Sequence, residues 1–246
     1  MRILVIGSSF TLVLSLTALA QERPEDVVKS AIAAAGGEDV LAKYPAGRVV
    51  GKGTMSFAGS ETSYTFEQMY QVPGRCRTVV RCEVKGQKWE LVQIVNDAAA
   101  KQTINGRPIP LSDTAMKELQ MAAILNDIGQ LTPLASDRKF SIKSLKQEKA
   151  ADTTALLVQV KGYPEIRLNF DRKSKHLVRC AYKGVDPDSS KEVELETSFD
   201  EFKSVSGLTR PTRSTVMRDG KKVIEMQVEK FTPLEKFDQK AFSLDE

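Results

Sequence analysis

Most of the chain alternates apolar and polar residues with a period of two, which is typical of antiparallel strands with one dry and one wet face. In segment 75–85, for example, charged residues recur at odd positions between less polar ones. Comparable runs extend from residue 47 to about 109 and from 140 to 231. Turn signals separate them, among them Pro73-Gly74, Asn105-Gly106 and Asp219-Gly220. The pattern predicts roughly ten or eleven strands.

Helical spacing replaces this alternation in two places. Near the start, Val28, Ala31, Ile32 and Ala35 form one apolar stripe behind Pro24 and before Gly36-Gly37, and a short helix at Val40-Leu41 follows. In the middle, Ser112 offers an N-cap to a helix predicted to run to about Leu125, and Gly129 and Pro133 are expected to break its continuation. The few helices must then cover the dry face of a large curved sheet, so we predict one mainly β domain over residues 21–246.

Residues 1–20 read as an export signal. Arg2 precedes an apolar run from Ile3 to Leu16, and Ala18-x-Ala20 is a cleavage site of the usual small-residue type. A membrane anchor is the alternative, but the run is shorter than the roughly 20 apolar residues that a span requires. The residue directly after Ala20 is Gln21 and not a cysteine, so the mature chain is not expected to be a lipoprotein itself. We predict a periplasmic or secreted protein that begins at Gln21.

Composition excludes most familiar catalytic and nucleic-acid-binding classes. Lys and Arg total 36 against 32 Asp and Glu, and the net charge of +4 is weak for nucleic-acid binding. His176 is the single histidine, which excludes a multi-histidine metal site, and no G-x-S-x-G, Walker or G-x-G-x-x-G motif is present. We therefore predict no metal, no cofactor, no nucleic acid and no enzymatic activity.

An acidic row is the remaining candidate for catalysis. This row consists of Glu192, Glu194, Glu196 and Asp200 on one side of a predicted strand, where neighbouring like-facing residues stand about 6.6 Å apart. Glycoside hydrolysis needs two carboxylates about 5 to 9.5 Å apart, so the spacing permits that chemistry. The same pattern is typical of any solvated sheet face, and we favour that interpretation.

The three cysteines leave two alternatives open. Cys76 and Cys82 lie about 20 Å apart along one predicted strand, too far for a disulfide. Either could pair with Cys180 in an oxidising compartment, or all three could be buried thiols, which we favour.

Large apolar side chains gather on one side of the predicted sheet and on the middle helix. If the helices do not fill this interior, it forms a hydrophobic cavity for apolar ligands. Arg75, Arg77 and Arg81 form a basic stripe that fits a head group or a partner protein, although such a stripe is also common on solvated outer strands. The predicted cavity residues are Met55, Phe57, Tyr64, Phe66, Tyr70, Trp89, Leu91, Met116, Leu119 and Ala123.

Several short motifs carry a resemblance to a known family. In chain order these are Ala35-Gly36-Gly37, Gly51-Lys52-Gly53-Thr54, Val72-Pro73-Gly74-Arg75, Gly207-Leu208-Thr209-Arg210-Pro211, Arg218-Asp219-Gly220 and the final Val228-x-x-Phe231. Behind an export signal, this order resembles the outer-membrane lipoprotein-sorting proteins, the LolA/LolB-like periplasmic carriers, as a divergent member. The resemblance implies an unclosed antiparallel β-barrel with helices as a lid. It also implies a cavity for acyl chains, and the basic residues do not show which one matches the carriers' functional arginine.

Two hypotheses follow. The first is a monomeric periplasmic carrier or chaperone that holds lipoprotein acyl chains or other envelope lipids and meets sorting components of the inner and outer membranes. The second is a secreted interaction or scaffold module, in which the barrel is packed and the basic stripe binds a partner.

Overall fold

Thirteen strands in the described part of the chain form one antiparallel sheet. The computed structural model describes residues 22–57, 59–145, 152–186 and 191–244, so the predicted signal peptide lies outside it. The strand order is β6-β5-β4-β3-β2-β1-β13-β12-β11-β10-β9-β8-β7. The strands are β1 (Ala46–Phe57), β2 (Ser60–Gln71), β3 (Arg75–Val84), β4 (Gln87–Asn96), β5 (Ala99–Ile104), β6 (Arg107–Pro108), β7 (Phe140–Ser144), β8 (Thr153–Val160), β9 (Ile166–Asp171), β10 (Leu177–Val185), β11 (Glu192–Val205), β12 (Leu208–Arg218) and β13 (Lys221–Leu234).

The topology consists of two meanders joined at the pair β1–β13. One meander runs from β1 outward to the edge strand β6, and the other runs from the opposite edge, β7, back to β13. The two edges do not pair with each other, so the barrel is unclosed, as predicted. The described chain has thirteen strands rather than the predicted ten or eleven, and the shortest, β6, has only two residues.

Helices occupy the two places where the spacing predicts them. They are α1 (Pro24–Ala34), α2 (Glu38–Lys43), α3 (Asp113–Gly129) and α4 (Thr132–Ser136), and a 3-10 turn (Gln239–Phe242) that the spacing does not predict lies near the C-terminus. The Ser112 hydroxyl caps α3 by accepting from the Ala115 N–H at 3.2 Å, and α3 ends at Gly129, one turn beyond the predicted Leu125. None of the helices among the described residues is both long and apolar enough to span a bilayer.

The connection from β6 to β7 places α3 inside the barrel. It must join the two far edges of the open sheet, and a helix of 17 residues spans about 25 Å. Met121, Ile124 and Ile128 of α3 enter the main core with α1 and strands β7–β10. Leu119 and Ala123 instead pack against Val95 of β4 in a small second core. The helix thus bridges the two arms of the sheet.

Two of the sequence motifs meet at the end of α1. Gly36 has φ +128°, and a Cβ at this position would collide with the carbonyl oxygen of Gly207. The Thr209 N–H donates to the carbonyl of Ala35 at 2.9 Å, and Leu208 is fully buried beside this contact. Glycine is therefore required here both for its conformation and for the close approach of the two backbones.

Three aromatic side chains of β2 lie across glycines of the neighbouring strand β1. In each pair the glycine sits opposite the aromatic residue in the register, and a Cβ on the glycine would meet the ring at 2.6–3.0 Å. The aromatic rings therefore cover β1 themselves, as an aromatic side chain does when it rescues a strand glycine. The pairs are Gly47 with Tyr70, Gly51 with Phe66 and Gly53 with Tyr64.

A buried carboxylate ties α3 to the sheet. Asp127, whose side chain is 2% exposed, accepts from the Gly74 N–H through both oxygens (3.0 and 3.2 Å) and from Lys139 Nζ at 2.7 Å. Burial opposes the charge on Lys139, but the hydrogen bond and charge of Asp127 outweigh it, so the pKa of Lys139 is raised. One side chain thereby joins the end of α3, the β2–β3 turn and the segment before β7.

The C-terminal segment that contains Phe237 and Phe242 lies over the outer face of β3–β5, the face away from α3. We call this segment the C-terminal strap. Phe242 is 1% exposed and packs edge-on against Phe237 at a centroid distance of 5.6 Å. The Phe242 carbonyl accepts from Asn96 Nδ2 at 3.4 Å, and the Phe237 N–H donates to Gln71 at 2.8 Å. The strap explains why Ile94, which faces outward, is buried.

Gly51→Ala tests the close packing of the aromatic rings on β1. The added methyl would collide with the Gln227 carbonyl and stand 2.7 Å from the Phe66 ring, so we expect a loss of about 1–3 kcal/mol in the free energy of unfolding. Gly129→Ala is the matched control because no atom lies within 4 Å of the added methyl. Urea denaturation compares the two, and equal stability of both variants would contradict this packing.

Asp127→Ala tests the tie between α3 and the sheet. Removal leaves the Gly74 N–H without its partner and Lys139 with Asp137 alone, 3.4 Å away, so we expect a loss of about 1–3 kcal/mol in the free energy of unfolding. Asp113→Ala, at the exposed other end of the same helix, is expected to cost less than about 1 kcal/mol. Thermal and urea unfolding measure both, and a small effect of Asp127→Ala would show that the tie is dispensable.

Candidate functional site on the inner face

The middle of the inner face, the face toward α3, is only partly covered. Met226 and Val228 of β13 lie opposite Gly53 and Gly51 of β1, and Val216 of β12 lies opposite Ile224. These apolar side chains are half-buried and belong to neither core. Helix α3 packs mainly against β3–β5 on one side and β10 on the other, so it bridges over these central strands. We call this region, lined by Met55, Val216, Ile224, Met226 and Val228, the central chamber.

The predicted cavity residues divide into three groups. Tyr64, Phe66 and Tyr70 are buried against the glycines of β1, and Leu119 and Ala123 are buried in the small core beside Val95. The side chain of Phe57 lies outside the described residues. The half-buried group, which retains exposure to a ligand, consists of Met55, Trp89, Leu91 and Met116.

The register brings several of these residues into rows. One row runs from Trp89 of β4 through Cys82 of β3 to Tyr64 of β2. A second row runs from Leu91 of β4 through Val80 of β3 to Phe66 of β2. Because alternate residues of a strand face opposite sides, all these side chains face inward with Val95.

The basic stripe lies on the outer face and is partly occupied. Arg81 forms an ion pair with Glu90 at 2.7 Å, with both side chains about half exposed. Arg77 lines a small cavity with residues of the C-terminal strap, and its Nε is buried without a partner. Arg75 lies beside Phe237 of the strap. The stripe is therefore divided between an ion pair and the strap.

A groove of about 920 Å³ crosses the outer face of β4-β3-β2-β1-β13. Of the predicted cavity residues, Tyr64 and Trp89 are in its lining, which is otherwise largely polar. Sequence reasoning missed this groove because its shape comes from the sheet's twist and its residues read as an ordinary wet face. Its charged lining residues are Lys52, Glu61, Arg81, Glu83, Lys88, Glu90, Lys222 and Glu225.

A buried polar cluster is a second feature that sequence reasoning missed. Arg210 Nη2 donates to Gln130 Oε1 at 2.7 Å, and Nη1 donates to the Thr209 carbonyl at 3.3 Å. Arg210 Nε and the Tyr70 hydroxyl are buried without a hydrogen-bond partner. Burial lowers the pKa of Arg210 and raises that of Tyr70. Their mutual interaction opposes both shifts, since Arg210 lowers the pKa of Tyr70 and Tyr70 raises the pKa of Arg210. Only the position of Arg210 inside an otherwise structural motif could have drawn attention to it.

The remaining reactive residues serve structural roles. Cys76, Cys82 and Cys180 are free thiols, and burial raises the pKa of Cys180 to about 12, where a thiol is inert at neutral pH. His176 stacks on Phe202 at 4.3 Å, and burial lowers its pKa. No group of three or more His, Cys, Asp or Glu side chains within the described ranges could hold a metal ion.

The acidic row is engaged in cross-strand ion pairs. Glu192 accepts from Lys183 at 2.6 Å and Glu196 lies 3.5 Å from Arg179. The row therefore has the contacts of a solvated sheet face.

No protein-family model matches the chain, and no curated protein matches it. Solved structures do match over nearly its full length. A LolA superfamily protein from Nitrosomonas europaea has 12% identity and a TM-score of 0.57, covering 91% of this chain and 99% of its own. A putative outer membrane lipoprotein-sorting protein domain from Vibrio parahaemolyticus has 10% identity and a TM-score of 0.54, covering 89% and 96%. A DUF1329 family protein from Desulfovibrio piger has 10% identity and a TM-score of 0.57, covering 91% and 98%.

At these identities the comparisons bear on the fold. They confirm, at the level of the fold, the resemblance to the lipoprotein-sorting proteins. The chain therefore has the LolA-like fold, an antiparallel sheet rolled into an unclosed barrel around a few helices.

Proposed function

We propose that the protein is a periplasmic carrier that holds the acyl chains of lipoproteins or other envelope lipids in the central chamber, without catalysis. The observation that carries this proposal is the group of half-buried apolar side chains on β1, β12 and β13, which neither core incorporates. Burying an acyl chain is worth about 0.8 kcal/mol per CH₂, so apolar contact alone provides useful affinity. The fold shared with a lipoprotein-sorting domain supports the same conclusion.

The cellular setting follows from the export signal. Cleavage after Ala20 would release a mature chain that begins at Gln21 and acts as a monomer in the periplasm. Its partners would be the membrane components that load and unload lipid cargo. Met55, Trp89, Leu91 and Met116 are the predicted residues best placed to meet that cargo, because they are half-buried.

The alternative, a packed scaffold that binds a partner through the basic stripe, has less support. Arg81 is paired with Glu90, and Arg77 lies beneath the C-terminal strap. A partner would have to displace both contacts before it could use the whole stripe.

Met226→Glu tests the chamber. A carboxylate at this inward position must be desolvated when an apolar ligand enters, so we expect at least about a tenfold loss of affinity for N-phenyl-1-naphthylamine, an uncharged apolar dye. Gln227→Glu is the matched control, since the next residue of β13 faces outward. Fluorescence titration measures the affinity of both, and thermal melting checks that both are folded.

Met226→Trp supplies a second, uncharged variant. The larger side chain fills the chamber, so we expect dye binding to fall without the cost of a buried charge. Equal dye affinity in wild type, Met226→Glu and Met226→Trp would refute the chamber as a ligand site. Loss of affinity in Gln227→Glu alone would place the dye in the outer groove instead.

A further inference from the structure

Arg210 is an interior cation without a counter-ion. Its guanidinium donates to two neutral oxygens, those of Gln130 and Thr209, and its Nε has no partner. Across the described ranges, no carboxylate lies within 4 Å of it. Because arginine stays protonated in proteins, the site holds a full positive charge that the fold does not neutralise.

The neighbouring groups cannot supply the missing negative charge. Asp127 lies about one helical turn before Gln130, and its carboxylate already accepts from Lys139 and the Gly74 N–H. Tyr70 is neutral at physiological pH because burial raises its pKa above the usual value. Buried charges are normally paired or satisfied by hydrogen bonds, so an unpaired one marks a place where a ligand completes the site.

Tyr70 adds a second free donor at the same place. Its buried hydroxyl makes no hydrogen bond of ordinary geometry, although Arg210 and Gln130 lie close enough to lower its pKa against the effect of burial. The ring is held across Gly47, so the hydroxyl is fixed in position. An oxygen that accepts from both Tyr70 and Arg210 Nε would satisfy both groups.

The space beside Arg210 is small and mostly apolar. A cavity of about 60 Å³ is lined by Arg210, His176 and apolar side chains that include Leu131, Leu177 and Phe199. Because the cavity is small, it suits a carboxylate-sized group better than a whole head group. The desolvated His176 has a lowered pKa, so it would not compete with Arg210 for the anion.

We propose that Arg210 and Tyr70 bind the carboxylate of a long-chain fatty acid, or the equivalent oxyanion at the end of another apolar chain. The inference rests on the proposed function, because the chain itself would lie in the central chamber. One side of β2 carries Tyr70, Phe66 and Tyr64 over a length of about 20 Å. At the far end of this row, Tyr64 and Met226 lie opposite Gly53 of β1 from its two neighbouring strands. A ligand anchored at Arg210 can therefore extend along this aromatic row to the chamber.

The test compares laurate with dodecanol, which have chains of equal length but differ in charge. We expect Arg210→Gln to lower laurate affinity by about tenfold or more and to leave dodecanol affinity unchanged, because charge-assisted hydrogen bonds are the strong ones. Arg213→Gln is the matched control: this arginine lies on the outer face of the same strand and pairs with Glu225 at 2.6 Å. Isothermal titration calorimetry measures the affinity of wild type and of both variants for laurate and for dodecanol.

Tyr70→Phe keeps the test valid if Arg210→Gln does not fold. It retains the ring on Gly47 and removes only the hydroxyl, so we expect a few-fold loss for laurate and none for dodecanol. Dodecyl phosphate distinguishes the oxyanions: a parallel loss shows that the site reads charge, and a loss with laurate alone shows that it selects carboxylates.

The outcomes separate the two proposals. If wild type binds both ligands and Arg210→Gln and Tyr70→Phe leave their ratio unchanged, the anion site is wrong and the chamber stands. If wild type binds neither laurate nor dodecanol, the carrier function fails, and the anion site fails with it.

Discussion

The inner face of a thirteen-stranded sheet is larger than the helices of the described chain can cover, and this mismatch shapes the molecule. The two edges must be joined by the connection from β6 to β7, so one long helix, α3, crosses the open side. It packs against both arms and is fixed by Asp127, which binds the β2–β3 turn and Lys139. A helix about 10 Å across cannot also fill the space above β12, β13 and β1.

Other parts of the chain compensate for the shortage of cover. On β2, aromatic rings lie across the glycines of β1, so this strand pair buries its own inner face. On the outer face, the C-terminal strap buries Phe242, whose carbonyl accepts from Asn96 of β4. The main core is complete around α1 and β7–β10. What remains uncovered is the central chamber, so its apolar residues stay half-buried because of the topology rather than their composition.

The sheet could be predicted from sequence because its signals are local. Period-two alternation and turns such as Asp219-Gly220 act within a few residues, and so does the Ser112 cap. The burial of single side chains could not be predicted. Leu119, for example, belongs to a core only because α3 packs against Val95 of β4. Sequence alone made Leu119 and Phe66 natural cavity residues. The structure makes both poor probes, because a charge at either buried position would disturb packing before it tested binding.

Within the described residues, two departures from ordinary packing lie in one interior: methionine and valine side chains that no helix covers, and an arginine that no carboxylate neutralises. Neither helps the chain to fold, since a leucine in place of Arg210 would avoid burying a charge and a longer lid would cover Met226. Their combination matches an amphiphile, which has an apolar chain and one polar end. Sequences that agree with their fold at every other level are expected to break these rules where they bind something. The chamber and the cation are therefore best understood together, as the two halves of one ligand site.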